Sequence, residues 1–312
     1  MVTLKLAPGT AARLAASCAA TGGDGAATEH WRHFGGMNRV RFAPDGHVAI
    51  EAGAGFDGEF ELNFRTRGLR ERLGLVLRAL TGNSANALYS RAFRNEGGTD
   101  ERLRAALEVL GSPLQAHKLL AAHYLDLLER HDALSRVGRY LEIGPGAGYL
   151  AALAHARTGC RLVLVDLPGM LPLSFLYLHR RFPQASFRLP GEAAMEAQFT
   201  FLAPERLDEV PAASVDLAVN TASFGEMLPA QVADYFAFLR RTAAPGSLFF
   251  TVNREEKLMR SAIRPGEPVP VRFDEYPWRA KDRDLLHRRS QFHDLVQPGN
   301  AMRVRLCHLK TS

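Results

Sequence analysis

The feature that most limits how this chain can fold is the run Glu142-Ile-Gly-Pro-Gly-Ala-Gly148. It follows a short apolar stretch, Tyr140-Leu-Glu-Ile143, and precedes a stretch of helical character from Tyr149 to Arg157, closed by Gly159. Glycine has no Cβ, so three of them at alternate positions let the backbone take strained angles and come close to a ligand. A strand that turns into a helix there also aims unpaired helical amides at the same spot. The dinucleotide fingerprint places its third glycine one residue later, where this chain has Tyr149. The loop is not a dehydrogenase loop, which disfavours a nicotinamide-dependent oxidoreductase.

Downstream, strand and helix patterns alternate. Arg161-Leu-Val-Leu-Val165 is continuously apolar, as strands buried on both faces are. Leu171 to Arg181 reads as a helix, Phe199 to Leu202 and Val215 to Val219 as strands, Gln231 to Arg240 as an amphipathic helix, and Ser247 to Val252 and Met302 to Leu309 as further strands. Such alternation predicts a mostly parallel, doubly wound α/β sheet with helices on both faces. Before the loop, a helix is expected from Thr99-Asp100 to Gly111, and a second from Pro113 with Leu119, Leu120, Tyr124, Leu127 and Leu128 on one face. The expected organisation is an N-terminal accessory α+β region over residues 1–112 and a ligand-binding domain over 113–312, with an arginine-rich insertion at about 253–300. Within the accessory region, His47-Val-Ala-Ile-Glu51 and Glu59-Phe-Glu-Leu-Asn-Phe64 alternate as the two strands of a hairpin would, and Leu69 to Leu80 looks helical.

Asp166 ends the second strand, a position from which a carboxylate can accept hydrogen bonds from two ribose hydroxyls. Glu142, Gly144, Gly146 and Gly148 with Asp166 resemble the Glu-x-Gly-x-Gly-x-Gly signature of the class I S-adenosylmethionine-dependent methyltransferases. That resemblance implies a Rossmann-like fold, S-adenosyl-L-methionine as cofactor, and glycines that make room for its methionine and ribose portions. A further stretch, Val215-Asp-Leu-Ala-Val-Asn-Thr-Ala-Ser-Phe-Gly-Glu-Met227, resembles the sugar O-methyltransferase family of bacterial carbohydrate-modifying gene sets. Its Asn-Thr-x-Ser-Phe-x-Glu-Met pattern is matched by Asn220, Thr221, Ser223, Phe224, Glu226 and Met227, and Val165-Asp-Leu-Pro168 and Phe201-Leu-Ala-Pro204 are similar to the family's second and third strand endings. The likeness spans about residues 113–253, and the loop departs from the family pattern at Pro145 and Ala147. It implies methyl transfer to a hydroxyl of a sugar or sugar-containing small molecule. Methylation of another small molecule and a catalytically inactive binding module are the alternatives.

In an open α/β sheet, ligands bind outside the carboxyl ends of the strands. Asn220, Ser223 and Glu226 leave such an end, so Asn220 is expected beside the cofactor and Ser223 and Glu226 beside the acceptor. Methyl transfer from a sulfonium is an in-line displacement, and an alcohol acceptor benefits from a general base. Glu226 is the first candidate base; capping the following helix or bonding a sugar hydroxyl are its other roles. His131, His287 and His293 are secondary candidates. Tyr149 either lies over the cofactor or packs within the helix layer.

Composition narrows the rest. The net charge is +6, but lysine occurs only at 5, 118, 257, 281 and 310 and no polybasic tract exists, so no nucleic-acid partner is expected. Cys18, Cys160 and Cys307 lack the paired spacing of zinc or redox motifs, and no spaced set of His, Asp and Glu makes a metal site. The alanine-rich 11–20 stretch is interrupted by Arg13 and Ser17, and the apolar 162–178 stretch by Asp166, Pro168, Gly169 and Pro172. A cytoplasmic protein without membrane attachment is the expectation.

Overall fold

The computed structural model describes residues 2–20, 39–43, 45–51, 85–111, 116–256, 271–299 and 301–310. In chain order these form β1 (Val2–Lys5), α1 (Pro8–Ala20), β2 (Arg39–Phe42), β3 (His47–Glu51), α2 (Ala85–Asn95), α3 (Asp100–Leu110) and α4 (Ala116–Arg130). Then follow β4 (Arg139–Ile143), α5 (Tyr149–Thr158), β5 (Arg161–Val165), α6 (Leu171–Arg181), β6 (Phe187–Arg188), β7 (Phe199–Leu202), β8 (Val215–Thr221) and α7 (Pro229–Thr242). The last elements are β9 (Ala243–Arg254), β10 (Arg283–Arg289), α8 (Gln291–Val296) and β11 (Met302–His308).

The main sheet has the order β10-β11-β9-β8-β4-β5-β7-β6. From β9 to β6 every pairing is parallel, and β11 runs antiparallel to both β9 and β10. The protein is therefore a Rossmann-like α/β fold with a mostly parallel central sheet. From β4 the chain winds outward through β5 and β7, then returns to place β8 on the other side of β4. In open α/β sheets a ligand crevice forms where the winding reverses, which in this order is at the carboxyl ends of β4 and β8.

Burial explains why these strands read as apolar runs. Leu164, Phe199, Phe201, Leu217 and Phe250 fill one face, and Leu141, Val165, Phe236 and Phe249 belong to the cluster on the other. Burying such side chains stabilises by roughly 1.5–3 kcal/mol each. Helix ends follow the expected chemistry: Thr99 Oγ1 accepts from the Arg102 amide at 3.3 Å, and Gly111 closes α3 with its amide on the Leu107 carbonyl at 2.8 Å. No helix among the described residues is long and apolar enough to cross a membrane.

One expectation is corrected. β3 sits between β1 and β2, so both its edges are taken and its hairpin partner is Arg39–Phe42; Glu59–Phe64 and Leu69–Leu80 lie outside the described residues. Within the 253–300 segment, which the sequence shows only as an arginine-rich insertion, Arg283–Arg289 pairs with β11 as the edge strand of the main sheet. Its charges concealed it: Arg283, Asp284, His287, Arg288 and Arg289 suit an edge strand that meets water on both faces. The N-terminal elements share the main core, since Leu6, Leu14 and Val48 belong to the cluster that contains Tyr140 and Phe250.

A buried ion pair anchors the segment that leads into β10. Arg240 of α7 reaches both carboxylate oxygens of Asp282, at 2.8 and 2.9 Å, and also donates to the carbonyls of Lys310 and Pro277. The Arg279 and Lys310 amides complete the Asp282 acceptors at 2.8 and 2.9 Å. Arg240→Met should cost about 3–5 kcal/mol, read as a lowered urea midpoint, because it strands a buried carboxylate. These bonds hold the Asp282 pKa down at about 2. Its contribution is present above the ordinary carboxylate range and is lost as pH falls from about 4 through 2, so the penalty of Arg240→Met should shrink across that window.

Candidate functional site

The loop between β4 and α5 takes the shape that its glycines permit. Gly144, Gly146 and Gly148 have φ of 73°, 56° and 80°, all left-handed. At Gly144 space adds to the requirement, since a Cβ there would lie 2.5 Å from Ser223 Oγ. The Gly144 amide bonds the Val165 carbonyl at 2.8 Å, tying the loop to the end of β5, and Gly148 caps α5.

Two carboxyl groups flank this loop in opposite surroundings. Asp166, partly exposed at the end of β5, accepts from the Gly146 amide at 3.2 Å and the Leu167 amide at 2.8 Å. Glu142 is sealed inside the sheet at 2% exposure, with the Tyr140 hydroxyl donating to Oε2 at 2.9 Å. Burial drives its pKa up to about 8; the Tyr140 bond opposes the shift and the charge of Asp166 adds to it.

Asn220, expected beside the cofactor, lies one layer beneath the loop. It is fully buried, and its Nδ2 donates to the Ile143 carbonyl at 3.0 Å and to Ser223 Oγ. Its Oδ1 accepts from Asn253 Nδ2 at 2.8 Å and from the Phe224 amide at 3.4 Å, so every hydrogen-bonding position of the amide is used inside the protein. Ser223, 8% exposed, packs directly on Gly144. Glu226 ends the single 3₁₀ turn Phe224–Glu226 and is half-buried, its amide on the Ser223 carbonyl at 3.0 Å. At the start of α7, Gln231 Oε1 accepts the Leu228 amide at 2.9 Å, so this cap belongs to Gln231.

Asn253 was invisible as a site residue in the sequence. It ends an apolar strand run, and only the pairing of β8 with β9, with Asn220 opposite Thr251, brings it to the site. There it is fully buried, bonds Asn220 and Thr251, and accepts the Gly225 amide at 3.2 Å. The chain between Asn220 and Ser223 is strained, because Ala222 adopts φ 61°. A left-handed alanine costs roughly 1–2 kcal/mol, and its amide bond to the Val252 carbonyl at 2.7 Å helps hold it there.

The remaining candidates lie elsewhere. His131 bonds the Leu127 carbonyl at the end of α4, His287 pairs with Asp284 on β10, and His293 is buried between helices. Tyr149 packs edge-on against Tyr177 at 4.8 Å, in the helix layer. Among the described residues, no group of three His, Cys, Asp or Glu converges to hold a metal.

No protein-family model matches the sequence, and no curated protein matches it either. Solved structures do. A protein of Pyrococcus horikoshii is 16% identical over 68% of this chain and 100% of its own, with a TM-score of 0.43. Geranyl diphosphate methyltransferase in complex with GPP and sinefungin is 17% identical over 66% of this chain and 85% of its own, TM-score 0.44. The geranyl diphosphate C-methyltransferase of Streptomyces coelicolor, in complex with Mg2+, geranyl diphosphate and S-adenosyl-L-homocysteine, is 15% identical over 65% of this chain and 88% of its own, TM-score 0.41. These are likenesses of fold; the α/β class itself rests on the strand order and pairing above.

Two stability measurements check this geometry. Ala222→Gly should be neutral or stabilising by up to about 1 kcal/mol in urea unfolding, whereas Ala222→Val should destabilise by more than that. For Glu142 the folded pKa is raised, so between about pH 4.5 and 8 the folded protein keeps a proton that the unfolded chain has released, and stability falls as pH rises through that window. Glu142→Gln removes the loss and should be the more stable protein at pH 8, by on the order of 4 kcal/mol, with no advantage at pH 4.

Proposed function

We propose that this protein is an S-adenosyl-L-methionine-dependent O-methyltransferase acting on a hydroxyl of a sugar or sugar-containing small molecule. One observation carries the reading: three left-handed glycines and the Glu142 and Asp166 carboxyl groups converge at the carboxyl ends of β4 and β5, beside the point where strand order reverses. This donor set fits a nucleoside. Asp166 already accepts from amides at its strand end and would take the ribose hydroxyls; Gly144, Gly146 and Gly148 would admit the chain of the cofactor; Glu142 would lie behind them. When bound, S-adenosylmethionine supplies an electrophilic methyl group on a positively charged sulfur.

The protein's part is to bind, orient and exclude water. Asn220, in this reading a positioning residue, fixes the Ile143 carbonyl, Ser223 and the Phe224 amide through one rigid amide. Ser223, held against Gly144, joins the loop to the acceptor side. Glu226, one turn further, is the group proposed to accept the acceptor proton, contributing about 10²–10⁴ in rate. A soluble cytoplasmic protein is the proposed setting. The sugar assignment rests on the Asn220-to-Met227 resemblance.

Calorimetry of the purified protein with S-adenosylmethionine tests the reading, with NAD as control. Micromolar binding is expected, weakened at least tenfold in Asp166→Ala and absent for NAD. Because a bound cation favours the charged form of Glu142, binding at pH 7 should release close to one proton, seen as a heat that varies with the ionisation enthalpy of the buffer and vanishes in Glu142→Gln. No binding by the wild type would sink the proposal. With a sugar acceptor in hand, Glu226→Gln should lower kcat by 10²-fold or more while cofactor affinity holds.

A further inference from the structure

Away from the glycine loop, α2, α4 and α8 enclose a cluster of rings that methyl transfer does not use. His123 of α4 is completely buried, and among the described residues neither ring nitrogen has a hydrogen-bond partner. Its ring stacks on Phe292 of α8 with centroids 4.0 Å apart and planes 7° from parallel, while Phe93 of α2 meets it edge-on at 6.4 Å. The neighbouring His293 is 1% exposed, and its ring lies 6.4 Å from that of His123. Both His293 nitrogens are engaged, Nε2 with the Tyr124 hydroxyl at 2.9 Å and Nδ1 with the Ser290 hydroxyl at 2.7 Å.

Charges ring this cluster from every side. α4 contributes Asp126 and Arg130, bonded to each other, and α3 contributes Arg102, bonded to Asp126. Glu96, just past α2, pairs with Arg288 of β10 and accepts the Phe292 amide at 2.8 Å. Asp294 of α8 is held by Arg289, and Tyr89 of α2 sits edge-on against Phe292 at 5.8 Å. A neutral His123 behaves as one more flat ring in this stack. A protonated one would be a buried cation without an acceptor, with Arg130 and Arg288 as like-charged neighbours.

The geometry points to an acid-operated clasp: neutral His123 and His293 lock α8 onto α2 and α4, and their protonation frees α8 and the 85–96 segment while the parallel sheet stays folded. α8 is a six-residue helix between β10 and β11, which keep their own ladder, so it can leave without dismantling them. Burial holds the His123 pKa well below the ordinary imidazole range and that of His293 at about 4. With a free histidine at about 6.5 in the opened state, His293 alone raises the opening constant about 30-fold between pH 8 and pH 5, and His123 adds to it. Lys118, on the same α4 helix, lies 5.5 Å from the Tyr149 ring just after the glycine loop, so clasp and loop share one element. The inference stands whether or not the protein transfers methyl groups.

Hydrogen–deuterium exchange of the full chain at pH 8 and pH 5, corrected for intrinsic rates, tests it. Opening of peptides spanning 85–96 and 290–297 should rise at least 30-fold at the lower pH, with β4 and β5 unchanged. His123→Phe, which keeps the stack, should reduce the rise, and His123→Phe with His293→Gln should abolish it. Unchanged protection in the wild type, loss shared equally by β4 and β5, or a full rise in the double variant would each overturn the clasp. An NMR titration of the wild-type imidazoles covers variants that fold poorly: two histidines must titrate well below pH 6, in step with the loss of α8 signals, and titration of every imidazole near 6.5 would overturn it as well.

Discussion

One buried amide holds the functional end of this molecule together. Asn220 ends the interior of β8 with both hydrogens and both lone-pair positions committed, to the end of β4, to the start of the 3₁₀ turn, and through Asn253 to the end of β9. Three strand ends that a parallel sheet would otherwise leave independent become one rigid edge. In a low-dielectric interior such a network is strong when complete and costly when any member is missing. The left-handed Ala222 is a strain this network sustains, because the chain must turn within two residues to bring Ser223 back against Gly144.

On that frame, the same functional group behaves differently at two neighbouring strand ends. Asp166 is partly exposed and accepts two amides, whereas Glu142 is buried and, among the described residues, accepts from the Tyr140 hydroxyl. One carboxyl group has its acceptors turned to backbone amides at a strand end; the other is held toward its protonated form by burial. Such divergence between adjacent acids is a common mark of a binding site.

Much of the fold was legible from periodicity. The spans of β5, α6 and β7 match the sequence reading residue for residue: short apolar runs mark the strands, and a buried Leu171–Leu178 run ending in His179-Arg180-Arg181 marks the helix. β10 escaped because an edge strand needs no apolar face, and β2 because its four residues Arg39–Phe42 carry too short a pattern. The glycine loop was legible as local chemistry, with spacing and residue type both visible. The partnership of Asn220 with Asn253 was not, because residues 33 apart in sequence meet only through the pairing of β8 with β9. Nor could sequence show that Asn220 faces inward, which depends on what packs above it.

The order of strands also governs how the chain is made. β10 is synthesised before β11, yet it pairs with nothing in the sheet until β11 arrives to fill the gap beside β9. At about 5–20 residues per second, a ribosome needs roughly 3–11 seconds to travel from the end of β9 to the end of β11. Throughout that interval the nascent sheet presents an open edge bearing Phe249, Phe250 and Val252, side chains that end up buried at 1% exposure or less. Misassociation through that edge competes with the arrival of β11, so translation speed across the arginine-rich segment bears on how long the competition lasts.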